Sequence, residues 1–461
     1  MKSYELKATK ENLLNTFLDD SIGRDADVIR FAKILNAIDD SCSISLDGGW
    51  GSGKTFFVKQ TKLLLDAFNN TLSSRDLDEV KKIVEKCNRF DRNFDIQPQV
   101  AVYYDAWKND NDDDPVLSLV YTIVQSMNVD NTIKGSLGFI KIAASIIEIF
   151  TNKDWNKVIE SFKGDDPLLK IKASKDIEDL IKEFLDELLS ERGNRLVVFI
   201  DELDRCKPSY AVKLLERMKH YFDNERITFA FSINSNELQQ TIRQYYGSDF
   251  DACRYLDRFF DLRISLPPVN MKQYYCSIGY DSTTYTYDIV CDAVIRSFHF
   301  ELREIARYIR LSKIASNKTV YSNSRYVYPS ERGTQFCILF FVPIMLGLKI
   351  ADSQRYAEFI NGKDCSPLIE VMSICNLGIR FYEDLLSPKE SFEKEQGKDT
   401  VTLAQKLKEL YDSVFVKTQN VENFELVNCS DVGKYSFTQK TRNDLLRIVS
   451  LLSEYANTNF E

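Results

Sequence analysis

Ser43-Ile44-Ser45-Leu46, followed by Gly48-Gly49-Trp50-Gly51-Ser52-Gly53-Lys54-Thr55, is the stretch that decides the fold. The first four residues read as a short buried strand. The next eight satisfy G-x-x-x-x-G-K-[ST] in full, and an amphipathic helix is expected from about Lys54 to Phe68. Strand, glycine-rich turn and helix, in that order, let backbone N–H groups converge on a phosphate while the helix N-terminus adds positive potential. Lys54 is then expected at the β- and γ-phosphates of ATP and Thr55 at Mg2+, with Gly48, Gly49, Trp50, Gly51, Ser52, Gly53 and Phe56 completing the binding loop. The bland alternative is a glycine-rich turn with an incidental lysine, which leaves the flanking strand and helix unexplained.

A second stretch, Leu196-Val197-Val198-Phe199-Ile200-Asp201-Glu202, puts two carboxylates at the carboxyl end of a wholly apolar strand. Ligands collect at that end in open α/β sheets. Asp201 is the candidate Mg2+ partner, Glu202 the candidate general base for an attacking water, and Asp204 a supporting acid. Taken alone, the same acids also suit a cap on a helix beginning near Pro208. Val100–Tyr104, Ile227–Ile233 and Asp261–Leu266 read as further strands. Between them, Lys175–Ser190 carries one apolar stripe (Ile177, Leu180, Ile181, Phe184, Leu185, Leu188), with Ser174 as a start signal and Gly193 as a stop. This alternation predicts an α/β domain with a parallel sheet over residues 1–268, including a helical insertion near 128–172. Beyond it, helical periodicity predicts a mainly α-helical region over 269–461.

The chain has 461 residues and a formal net charge of −9, which argues against a generic polyanion binder. A local basic groove keeps nucleic acid open as a partner without indicating it. Ten scattered cysteines and two histidines disfavour a zinc site and point to reduced thiols in a cytoplasmic protein. Gly135–Phe150 and Phe336–Leu348 are apolar, but each falls short of the roughly 20 residues that cross a bilayer, so buried core helices are expected and no integral span. The acidic run Asp110–Asp114 reads as a solvated loop whose last aspartate caps a helix at Pro115, and Trp107 beside it as a core anchor.

Together these stretches resemble the KAP P-loop NTPases, a branch of the ASCE class that includes the AAA+ ATPases. The likeness spans roughly residues 17–315. It rests on Ile22-Gly23-Arg24, the tryptophan inside the phosphate loop, Asp105-Ala106-Trp107-Lys108, Asp201-Glu202-Leu203-Asp204-Arg205-Cys206-Lys207-Pro208, and Tyr255-Leu256-Asp257-Arg258. Two departures stand out: Asp-Glu at the strand end where the family commonly has Asp-Asp, and no transmembrane helices between the two motifs.

The resemblance implies an ATPase (ATP hydrolysis). It places Asn234 at the polar sensor of the γ-phosphate, where the plain reading is a turn residue, and Arg258 at a neighbouring subunit's ATP, with Arg254 and Arg263 competing for that role. Arg303, Arg307 and Arg310 suit a second nucleotide sensor or a solvated helix face with local ion pairs. The sequence shows no nuclease carboxylate–lysine string, deaminase metal motif or protease triad, so the ATP is expected to drive a switch or assembly step in a homo-oligomer with a separate effector protein, and the resemblance suggests a bacterial anti-phage defence system as its setting. The alternatives are a nucleotide-binding scaffold with little turnover and a membrane-associated signalling NTPase.

Overall fold

The computed structural model describes residues 6–72, 76–127, 138–140, 142–143, 146, 167–222, 224–316, 321–322, 325–326, 332–375, 403–417, 430–432, 435–437 and 439–450. The chain divides into two compact units, Lys7–Ser277 and Ile278–Glu461 with Met1–Leu6. The sequence-based boundary after residue 268 lies just ahead of a helix, Met271–Ile278, most of which goes with the first unit.

Five strands form the sheet of the first unit: β1 (Cys42–Asp47), β2 (Gln99–Asp105), β3 (Arg195–Asp201), β4 (Ile227–Ile233) and β5 (Leu262–Ser265). All pairs are parallel and the order across the sheet is β2-β3-β4-β1-β5. The α/β architecture expected from the alternation is therefore present. β4 separates β1 from β3, so the strand leading to the glycine loop and the strand ending in the acids are not neighbours.

The uninterrupted apolar run of β3 follows from burial on both faces. Leu196, Val198 and Ile200 pack with the helices Pro115–Ser126 and Pro208–Tyr221, whereas Val197 and Phe199 face Asp25–Asn36 and Lys54–Phe68. All five are fully buried, each worth about 1.5–3 kcal/mol of transfer free energy. The acidic run is tied down at several points. Asp114 accepts from Val116 N and Leu117 N as the cap of Pro115–Ser126 and pairs with Arg217, while Asp110 accepts from Lys207 N at 3.2 Å.

One helical expectation changes. The helix placed at 175–190 runs from Pro167 to Arg192, so Ser174 lies inside it and is no cap. Proline at the first helical position, with its φ preset, is the operative start signal. Most of the proposed insertion at 128–172, and with it much of Gly135–Phe150, lies outside the described residues; within it Phe139, Ala143 and Ile146 are buried in the first core.

The second unit is mainly helical, as expected, with two small antiparallel hairpins, Tyr321–Ser322 with Arg325–Tyr326 and Ser430–Val432 with Tyr435–Phe437, that no sequence signal announced. Its central helix runs from Arg332 to Ala351. At 20 residues it is long and apolar enough to cross a membrane, which corrects the expectation that this segment is too short. Cys337–Phe341 widen into an i→i+5 turn just before Pro343, which relieves the clash a proline ring makes with the carbonyl four residues back. The helix is mostly buried: Tyr308 donates its hydroxyl to Pro343 O at 3.1 Å, and Phe341 meets Phe359 and Phe415 edge-on.

Candidate functional site

The carboxyl ends of β1, β3 and β4 converge, and the glycine loop is fastened there from three sides. Gly48 N donates to Ile233 O at the end of β4 (3.2 Å), and Ser235 N donates to Asp47 Oδ1 (2.7 Å). Arg24, only 6% exposed, donates through Nη1 to Ser52 O (2.9 Å). Gly51 and Gly53 hold φ of 88° and 95°, which side-chain-bearing residues rarely adopt. A β-carbon on Gly48 would stand 2.9 Å from Ser52 Oγ.

One hydrogen bond joins the loop to the acidic strand end. Thr55 Oγ1, in the first turn of Lys54–Phe68, donates to Asp201 Oδ2 at 2.6 Å. Tyr103, near the end of β2, donates its hydroxyl to the same oxygen at 2.9 Å. Burial first, and then the Asp201 charge, raise the pKa of Tyr103, so it stays a donor. Lys54 folds back over the loop, donating to Gly48 O (2.6 Å) and Gly49 O (3.1 Å). Burial lowers its pKa, while Asp204, Asp201, Glu202 and Asp47 push it back up.

The residues fit a nucleotide phosphate and a divalent cation. Ser52 Oγ is buried without a hydrogen-bond partner inside a loop that glycines hold in shape. A hydroxyl and a carboxylate one hydrogen bond apart suit Mg2+, which takes one or two protein ligands beside phosphate oxygens. Phe56 follows in the same helical turn with its side chain buried.

Glu202 leaves β3 with φ 62° and ψ 24°, a left-handed conformation costly for a residue with a side chain, of order 1–3 kcal/mol, and concentrated at functional positions. Its N–H donates to Asp201 Oδ1 at 3.1 Å, and Arg205 Nε approaches its Oε2 at 2.5 Å. Burial raises its pKa, the Asp201 charge adds to that, and Arg205 opposes it.

The KAP family P-loop domain matches residues 26–277, more than half of the chain. The chain belongs to the KAP family of P-loop NTPases. No curated protein sequence matches it. Among solved structures, the ORC2 protein of Aeropyrum pernix, determined in ADPNP and ADP complexes, is similar at 12% identity and a TM-score of 0.28, with 93% of this chain and 86% of that one covered. C. elegans PCH-2 is similar at 13% identity and a TM-score of 0.20, covering 79% and 68% respectively. At those scores neither adds weight to the family match.

The remaining candidate residues of this KAP protein fall in different places. Asn234 ends β4 beside the glycine loop, but its Oδ1 caps the helix Ser235–Tyr246, accepting from Asn236 N (3.2 Å) and Glu237 N (3.4 Å). That is the plain turn role, and it leaves the amide nitrogen as the group available to a ligand. Arg258 is exposed at the opposite end of the sheet, in a shallow cavity of about 170 Å³ with Ser41, Cys42, Ser43 and Asp261. Asp47 lies four residue steps beyond Ser43 along β1, about 13 Å at 3.3 Å per residue, so Arg258 does not reach its own chain's phosphate loop. Arg263 is paired with Asp257, and Arg254 is exposed. Arg303 and Arg307 are exposed on the helix Leu302–Ser316 of the second unit, with Arg310 half-buried.

Sequence reasoning missed Tyr103 and the roles of Arg24 and Arg205. Tyr103 was legible in principle, because strand alternation turns it to the face opposite Val102 and Tyr104. Trp107 corrects an expectation: it is 53% exposed and covers Arg205 instead of anchoring a core.

Proposed function

We propose that this KAP protein binds ATP with Mg2+ and hydrolyses the γ-phosphate. The observation that carries the reading is the 2.6 Å bond between Thr55 and Asp201, which brings the phosphate loop and the acidic strand end into one site with Glu202 beside them. In this reading the loop N–H groups and Lys54 hold the triphosphate, and Thr55 and Asp201 hold the cation. A Mg2+ ion held there would supply charge neutralisation for the triphosphate. Glu202 orients a water and accepts its proton.

Measuring phosphate release and ATP binding by the wild type, Lys54→Ala and Glu202→Gln tests this. Lys54→Ala is expected to lose binding, and Glu202→Gln to keep binding while losing turnover by about 10²-fold or more. One observation favours the scaffold with little turnover: Lys54 and Glu202 are both engaged by groups of the chain itself. Wild-type turnover no faster than Glu202→Gln selects that reading.

Arg258, exposed and remote from its own loop, suits a role at the ATP of a second copy, which makes a homo-oligomer the working form. A switch or assembly role in the cytoplasm, in anti-phage defence beside a separate effector, rests on family likeness and not on site chemistry.

A further inference from the structure

An arginine flanked by two indoles stands beside Glu202. The Arg205 guanidinium lies 5.6 Å from the ring centroid of Trp50 and 5.6 Å from that of Trp107, both within cation–π range. Trp50 belongs to the phosphate loop, and its indole N–H donates to Asp204 Oδ2 at 2.7 Å. Trp107 comes from the turn after β2. The tight turn Leu203–Arg205, closed by Arg205 N donating to Glu202 O at 3.1 Å, brings the guanidinium back onto the carboxylate. Arg205 Nε forms an ion pair with Oε2 at 2.5 Å, and no side chain among the described residues donates a hydrogen bond to Oε1.

We propose that Arg205 is a positioning residue for Glu202, and that Trp50 and Trp107 fix Arg205 in the place from which it holds that carboxylate. The inference rests on the reading of Glu202 as general base. A glutamate tethered by one oxygen and open at the other presents one acceptor in a defined direction. An untethered one samples several rotamers, and misplacement by about 1 Å can cost 10²-fold in rate. The planar guanidinium can stack between rings and bond at its edge simultaneously, which a lysine ammonium cannot do. Because one ring of the clamp is part of the phosphate loop, the base is set by the same element that grips the triphosphate.

The test is kcat and KM for ATP of the full-length chain carrying Arg205→Ala, Arg205→Lys or Trp107→Ala, each alone and combined with Glu202→Gln. Arg205→Ala is expected to lower kcat about tenfold to a hundredfold, with KM within about twofold of wild type. Arg205→Lys recovers part of the loss, and Trp107→Ala gives a smaller drop of the same kind. In the Glu202→Gln background none of the three lowers the residual rate further. An unchanged kcat in Arg205→Ala overturns the proposal, as does an equal loss in the Glu202→Gln background, which places the action elsewhere. If Arg205→Ala does not fold, Arg205→Lys and Trp107→Ala decide by the same criteria. Wild-type turnover equal to that of Glu202→Gln removes the base itself and the inference with it. That failure is read on two proteins that both keep Arg205, so it is separable from the others.

Discussion

At the residue scale, a single carboxylate oxygen ties the phosphate loop to the sheet. Asp201 Oδ2 accepts from both Thr55 and Tyr103, so a metal ion that takes over the Thr55 hydroxyl still leaves Asp201 held from β2. Groups that orient a metal ligand without touching the metal typically contribute 10–100-fold in affinity. Tyr103→Phe deletes one hydroxyl and keeps the ring, including the face covered by Lys59 at 4.2 Å. The expected result is a rise of about tenfold in the Mg2+ concentration for half-maximal ATP turnover. The ATP concentration dependence at saturating Mg2+ should be little changed. A Mg2+ titration of initial rates checks it, and a shift below twofold would show that Tyr103 serves packing alone.

Elements built on local, short-range signals were legible, and those that depend on distant partners were not. The helix Lys54–Phe68 and the strand ending at Asp201 fall where the sequence puts them, because glycine chemistry and a fully apolar run are written in consecutive residues. Position within the sheet is not: nothing in β4 itself announces that it lies between β1 and β3. Trp107 was misread because an aromatic residue carries no mark of whether a core or a lone guanidinium covers it. Apolar composition was equally ambiguous for Arg332–Ala351, where the same residues serve a buried helix or a bilayer span.

Gly347 separates those two readings of the helix. A β-carbon there would lie 2.4 Å from Val294 Cγ1 and 2.9 Å from Phe298 Cε2, so Gly347→Ala overpacks the contact with the helix Thr286–Ser297 and its C-cap. Overpacking costs typically about 1–3 kcal/mol, whereas alanine at an uncrowded helical position gains up to about 1 kcal/mol over glycine. The sign of the change in urea midpoint therefore decides. A lower midpoint supports the buried helix, and an unchanged or higher one means this face is not packed as described.

For the molecule as a whole, the question is whether one copy of the chain holds a complete site. Its own Arg258 is at the far end of the sheet, and the chain's net charge of −9 gives a triphosphate no general attraction, so catalytic positive charge has to be supplied locally. If a second copy supplies Arg258, two defects in different chains are complementary. Arg258→Ala leaves the phosphate loop and Glu202 intact but offers its neighbour no arginine. Glu202→Gln cannot turn over its own ATP but still presents Arg258. Each variant alone is expected to lose at least 10²-fold in rate, since an arginine supplied in trans contributes about 10³–10⁵ in related phosphoryl transfer. In an equimolar mixture, mixed assemblies contain a site with an intact Glu202 facing an intact Arg258. Turnover should then rise well above the sum of the two separate proteins, and should depend on total concentration as assembly does. Mixed turnover equal to that sum, with the wild type active as a single chain by light scattering, would place the arginine's work within one copy or nowhere.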